Sequence, residues 1–283
     1  MNGQGTIRTE AVMGTLVTIH IVQPGAQEAI DRAFGWFYEI ESRCTRFDEE
    51  SELMQLSRHS GVPVPASPIL FEAVRFAVSV AEETGGAFDP TVGAHMEARG
   101  YNRATTADRS SSYRDVELDP DRRTITLHRP LTLDLGAVAK GLAVDTAARE
   151  LAPFVNFAID AGGDLYLGGS NPQGAPWSVG IRHPLGGEEL IDSMSVTNQA
   201  VCTSAAYERG DHILDARTGA PAQSVASATV VAQAAMLADA LATAAFVLGP
   251  AEGIELLHRM GVDGLIFNHD LQRYATRGLR HAA

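Results

Sequence analysis

Residues 155–169, VNFAIDAGGDLYLGG, decide the fold class. β-Favouring stretches flank Gly162-Gly163, so strands are expected at 155–160 and 164–168 on either side of that turn. Working outward toward the C-terminus, more strands follow at 177–182, near 190–203 and 212–216, and at 224–232. Helices from about Ala234 to Leu248 and from 251 to 260 come next, then a last strand near 263–267. Strands in series followed by helices lack the regular alternation of a doubly wound sheet. An α+β architecture is therefore expected, with mixed β-sheets flanked by helices.

Working outward toward the N-terminus, a helix is predicted from Gly136 to Ala152, preceded by short strands near 115–118, 123–128 and 131–134. Residues 84–113 mix Gly, Pro, Ser and Thr with little periodicity and read as a long loop of the kind that carries function. Helical spacing marks Pro68 to Glu83 and also Ala26 to Cys44, where Ile30, Ala33, Phe34, Phe37 and Ile40 share a face. Between them, in RFDEESELMQLSR (46–58), Ser51 is placed to cap a helix. Residues 6–22 read as a strand or hairpin interrupted at Met13-Gly14-Thr15. No linker or repeat divides the chain, so residues 1–283 are expected to form a single domain, as one unit or as two lobes with a site between them.

The 283 residues are 45% hydrophobic and 20% charged, an ordinary globular balance. A net charge of −13 opposes any nucleic-acid backbone or anionic membrane, so neither is an expected partner. Cys44 and Cys202 are too few for a disulfide framework or metal cluster and are expected to be buried thiols. No signal sequence, membrane anchor or apolar run of ~18 residues is visible, and a cytoplasmic location is expected.

Three segments could carry chemistry. In QAAMLADALATAAFVLG (233–249), apolar nearly all the way round, Asp239 and Thr243 lie one turn apart on one face. A buried carboxylate needs a cation or several donors. The pair fits an oxygen-ligand site for Mg²⁺, and equally a carboxylate at the helix edge paired with an arginine or solvent, beside a threonine bonded back to the backbone. In TLDLGAVAKGLAVDTAARELA (132–152), Asp134 ends a strand and small residues then leave a bare helix start that could attract an anion, with Lys140 adding a point charge. Tight helix packing with a solvated lysine explains the same residues. In TSAAYERGDHILDARTGAPA (203–222), His212 could serve as a general base or phosphate donor, or be structural. HExxH, CxxC, GxSxG and GxGxxG are all missing.

Taken together and in order, AVMGT (11–15), RFDEESEL (46–53), GGAFDPTVG (85–93), LDLGAVAKGLAVD (133–145), IDAGGDLYLGG (159–169) with HILDARTG (212–219), and ADALATA (238–244) resemble the FAD:protein FMN transferase family, also called ApbE or flavin transferase. The resemblance covers nearly the whole chain. It implies that Asp239 and Thr243 bind Mg²⁺ with the backbone carbonyl of Ala137, against the pyrophosphate of FAD. It further implies that Asp134 and Lys140 line the nucleotide site, that Met13 and the Ala87-Phe88-Asp89 turn touch FAD, and that His212 sits beside the reacting phosphates. The implied partners are FAD as substrate and an acceptor flavoprotein with a Thr or Ser flavinylation site.

Some positions depart from the family pattern. Phe47 stands where many members carry tyrosine, keeping an aromatic surface but losing the hydroxyl; Ala216 replaces a common proline and Ala205 a common glycine. The implied reaction moves the FMN moiety of FAD to the acceptor hydroxyl and releases AMP, with His212 and Asp239 as the catalytic candidates. If water takes the acceptor's place, the same ligands make an FAD pyrophosphatase. A non-catalytic flavin-binding protein is a further alternative, against which the Asp239/Thr243 pair argues, because storage needs no metal on a pyrophosphate.

Overall fold

Hairpins generate most of the central sheet. A computed structural model describes residues 5–93, 111–187, 189–205 and 213–279. Strands β1 (Thr6–Val12) and β2 (Thr15–Ile21) meet through Met13-Gly14, whose φ values of 55° and 69° give the left-handed turn that matches strand twist. There follow α1 (Gln27–Cys44), α2 (Glu52–Ser57), β3 (Pro63–Pro65), α3 (Pro68–Glu83), β4 (Val116–Asp119), β5 (Thr124–Leu127) and α4 (Gly136–Leu151). Next come β6 (Phe157–Ala161), β7 (Asp164–Gly168), β8 (Trp177–Arg182), β9 (Leu190–Val196), β10 (Gln199–Ala205), β11 (Leu214–Asp215), β12 (Ala220–Pro221) and β13 (Ser227–Ala232). The described chain closes with α5 (Ala235–Leu248), α6 (Pro250–Arg259), β14 (Asp263–Phe267) and β15 (Arg273–Ala275).

Eight strands form one sheet in the order β1-β2-β6-β7-β10-β13-β14-β15. The α+β class is as expected. The sheets are more uniform than the mixed ones expected, since every pairing among the described residues is antiparallel. The reason is local: two-residue turns such as Gly162-Gly163 reverse the chain directly, and β8 and β9 form a separate ribbon that leaves β7 beside β10.

At β13 the sheet is buried on both faces. Ala228, Val230 and Ala232 of β13 join the large core under α4 and α5, while Val231 joins a smaller cluster with Val179, Ile181, Met194 and Val196 of the β8–β9 ribbon. Ser51 caps α2 as expected, accepting from the Met54 amide at 3.1 Å.

Three details differ from the sequence reading. The strand expected at 131–134 has no ladder partner, because it lies against the turn Pro90–Val92, where the Asp134 amide donates to the Pro90 carbonyl at 2.7 Å. The single stretch expected near 190–203 breaks into β9 and β10 at Asn198, whose φ is 53°. β3, with two prolines, and the three-residue β15 are too short to read from pattern and form only as edge strands.

Candidate functional site

The site is built where α4 crosses the start of α5. Gly141 makes the crossing close: a Cβ placed there would lie 2.4 Å from the Met236 Cα and 2.7 Å from the Ala235 carbonyl carbon. Ala234, the residue that enters α5, offers no side-chain cap. Asp145 on α4 supplies one instead, its two carboxylate oxygens accepting from the Ala235 and Met236 amides at 2.6 and 3.0 Å. Asp145 thus meets the first residues of α5, Gly141 meets Met236, and Lys140 lies within electrostatic reach of Asp239. This order runs the two helices in opposite senses and carries the start of α4 toward Asp239 and Thr243.

Asp239 is buried, at 6% exposure, and Thr243 is half-buried one turn on. The Thr243 hydroxyl lies 3.2 Å from the hydroxyl of Ser204 on β10. Ala137 interrupts the helical backbone with φ −87° and ψ 15°. That ψ, in place of the helical value near −42°, swings its carbonyl off the line of the helix ladder. A carboxylate, two hydroxyls and a carbonyl turned off the helix ladder are oxygen donors of the type a hard cation takes. Groups of three or more His, Cys, Asp or Glu residues with metal-site geometry are absent among the described residues, so a cation here would rely on these weaker donors and on its ligand.

Lys140 is ion-paired to Asp164, the first residue of β7, which is 2% exposed. Burial pulls the Lys140 pKa down, but the Asp164 and Asp239 carboxylates outweigh it, and the net shift is upward. Lys140 is therefore firmly charged and already engaged, which differs from the solvated lysine of the helix-packing alternative. Cys202 lies beneath, fully buried, and burial, reinforced by the same two carboxylates, pushes its thiol well up.

Asp134 joins this centre to the neighbouring loops. Its carboxylate accepts from the Gly136 amide at 2.8 Å and from Arg46 Nε at 2.9 Å. The Arg46 guanidinium in turn stacks over the Phe47 ring, 4.5 Å from the centroid, and leaves Phe47 69% exposed. An exposed aromatic held by a cation is a ready face for a flat ligand.

The side chains of Ala87, Phe88 and Asp89 all face the interior. Asp89 organises its loop by accepting from the Thr91 amide and hydroxyl and from the Tyr113 amide. Burial raises its pKa, and these bonds offset the shift only in part. Met13 is half-buried at its turn, whose neighbour Thr15 packs against Gly162 so closely that a Cβ there would lie 2.2 Å from the Thr15 hydroxyl. Through that contact the Met13 turn abuts the β6–β7 turn that introduces Asp164.

Met13, Asp134, Lys140, Ala137, Asp239 and Thr243 therefore belong to one connected region, with Phe47 attached through Arg46. His212 lies outside the described residues, as do residues 94–110 of the expected loop. Sequence reasoning missed Arg46, Asp145, Asp164 and Ser204. All four stand inside the segments quoted above, yet each acts through a partner at least 88 positions away in the chain or on another element, and no local pattern announces that.

Comparison with known proteins places the chain's family and fold. The ApbE family model matches residues 13–266. A curated relative, the FAD:protein FMN transferase of Treponema pallidum, is 32% identical across 96% of this chain and 87% of its own length. The enzyme of the same description from Vibrio cholerae is 31% identical across 86% of this chain and 81% of its own. Among solved structures, the ApbE protein of Thermotoga maritima superposes with a TM-score of 0.88 at 28% identity, covering 97% of both chains. The flavin transferase ApbE of Vibrio cholerae gives 0.87 at 25% identity, covering 96% of this chain and 97% of its own.

Proposed function

The chain belongs to the ApbE family, and from that premise we propose that its flavin transfer is magnesium-dependent and modifies a Thr or Ser hydroxyl of an acceptor protein. It is an enzyme, an FAD:protein FMN transferase. The observation that carries the metal proposal is the buried Asp239 carboxylate one turn from Thr243 on α5, beside the start of α4, where Ala137 leaves helical geometry. Those three groups would hold Mg²⁺, and Ser204 orients Thr243. Bound there, the ion would neutralise pyrophosphate charge and steady the leaving oxygen.

The chain's own residues supply the rest. Lys140, kept charged by Asp164, would set a positive potential near the start of α4. Asp134 orients the Gly136 amide and, through Arg46, fixes Phe47 as a stacking surface for a flavin or adenine ring. Met13 and the backbone of residues 87–89 would complete the FAD pocket, and His212 would stand beside the phosphates to take the acceptor proton. In the transfer, the acceptor oxygen bonds to the FMN-side phosphorus as the bond from that phosphorus to the AMP oxygen breaks. The hydroxyl proton goes to the general base and AMP leaves. Residues 1–283 would act as one catalytic domain.

The test incubates the protein with FAD and Mg²⁺, with and without a flavin-acceptor domain, following AMP release and acceptor mass beside an Asp239→Ala control. A flavinylated acceptor that requires both Mg²⁺ and Asp239 supports the proposal. AMP and free FMN without labelling of a competent acceptor would make the protein a pyrophosphatase, and FAD binding without either product would make it a flavin carrier.

A further inference from the structure

The carboxylate of Asp145 touches none of the groups assigned above, yet it is half-buried and spends both oxygens on the first turn of a different helix. α5 begins at Ala235 without a cap of its own, and Asp239 and Thr243 follow one and two turns later on the same element. Ala137 lies two turns before Asp145 on α4. The proposed ligand groups are thus split between two helices, and their relative register is fixed at the far end of the crossing by Asp145 and Gly141. The two amides hold the carboxylate by bonds of 2.6 and 3.0 Å. The absent side chain at Gly141 lets the backbones touch.

We propose that Asp145 is a positioning residue for the metal centre: by capping α5 from α4 it sets the register that brings Asp239 and Thr243 opposite the Ala137 carbonyl. The proposal rests on the metal reading given above. Its chemistry is that of an outer-shell partner, which acts on ligand placement and not on substrate. Loss of such partners costs about 10- to 100-fold in metal affinity. Gly141 serves the same register by a different physical means, so it provides an independent perturbation.

The experiment compares wild type with Asp145→Ala, Asp145→Asn and Gly141→Ala. At saturating FAD, Mg²⁺ is titrated for half-saturation of AMP release, and the rise in Tm caused by Mg²⁺ with FAD is measured separately. Asp145→Ala and Gly141→Ala are expected to raise the Mg²⁺ half-saturation about tenfold or more and to diminish the Tm rise. Asp145→Asn, whose amide oxygen can still accept one of the two bonds, should recover most of the wild-type value. If Asp145→Ala does not fold, Gly141→Ala carries the comparison against wild type and Asp145→Asn. A lowered Tm with Mg²⁺ half-saturation within twofold of wild type in Asp145→Ala and Gly141→Ala would overturn the proposal and leave Asp145 a purely structural cap. A wild type that needs no Mg²⁺ overturns the metal reading itself, a failure visible before any variant is made.

Discussion

Replacing Lys140 by methionine tests the charged interior directly. Asp164 is 2% exposed and its cation is the Lys140 ammonium, whose side chain is 20% exposed. Methionine fills much of the lysine stem but leaves a buried carboxylate without compensation, a change that costs about 3–5 kcal/mol. With ~2.1 cal/mol/K of unfolding entropy per residue, 283 residues give roughly 0.6 kcal/mol/K, so Tm should fall by about 5–8 °C. Asp164→Asn alone leaves the ammonium facing Asp239 and should cost less. The double variant Lys140→Met/Asp164→Asn removes both charges and should recover at least half of the loss in Lys140→Met. Urea unfolding of the four proteins gives the coupling energy, provided the m-values agree. A coupling of about 2 kcal/mol or more is expected, and additivity within about 0.5 kcal/mol would refute the reasoning. The same double variant separates stability from function: it should fold yet remain poor at AMP release, because the charge at the start of α4 is gone.

Asp89 should leave a mark on the pH dependence of stability. Its pKa in the folded protein is raised above the ordinary 3.8, chiefly by burial, so between those two values the native chain holds a proton that the unfolded chain has lost. Stability therefore falls as pH rises across that window, and Asp89→Asn should flatten this part of a Tm-against-pH curve; an unchanged slope would remove Asp89 as its source. Ser51→Ala deletes the α2 cap and a 2.6 Å bond to the Thr45 carbonyl, and should cost about 1–2 kcal/mol in denaturant melts while leaving the Mg²⁺ half-saturation unmoved. Burial pushes the Cys44 thiol up to about 12 and Cys202 well up, so neither should react with a maleimide at pH 8 until the chain unfolds. Rapid labelling of native protein at either position would contradict that burial.

What the sequence discloses follows the range of the forces involved. Helical spacing located α1 and α3, and Gly162-Gly163 located the β6–β7 turn, because both signals are confined to neighbours in the chain. Asp239 and Thr243 were legible for the same reason, as two polar groups one turn apart on an apolar helix. Lys140 shows where that reading stops. Its local context fits a solvated lysine at a bare helix start, and only the fold reveals Asp164 beneath it. Asp145 is harder still, since on its own helix it is one more polar residue among alanines, and its meaning lies in two amides 90 and 91 positions away. Ligand groups can be guessed from residue type because their chemistry is their own. The groups that aim them are defined by what they touch, so the register of α4 against α5, and with it the geometry of the site, becomes visible only when the two helices are seen together.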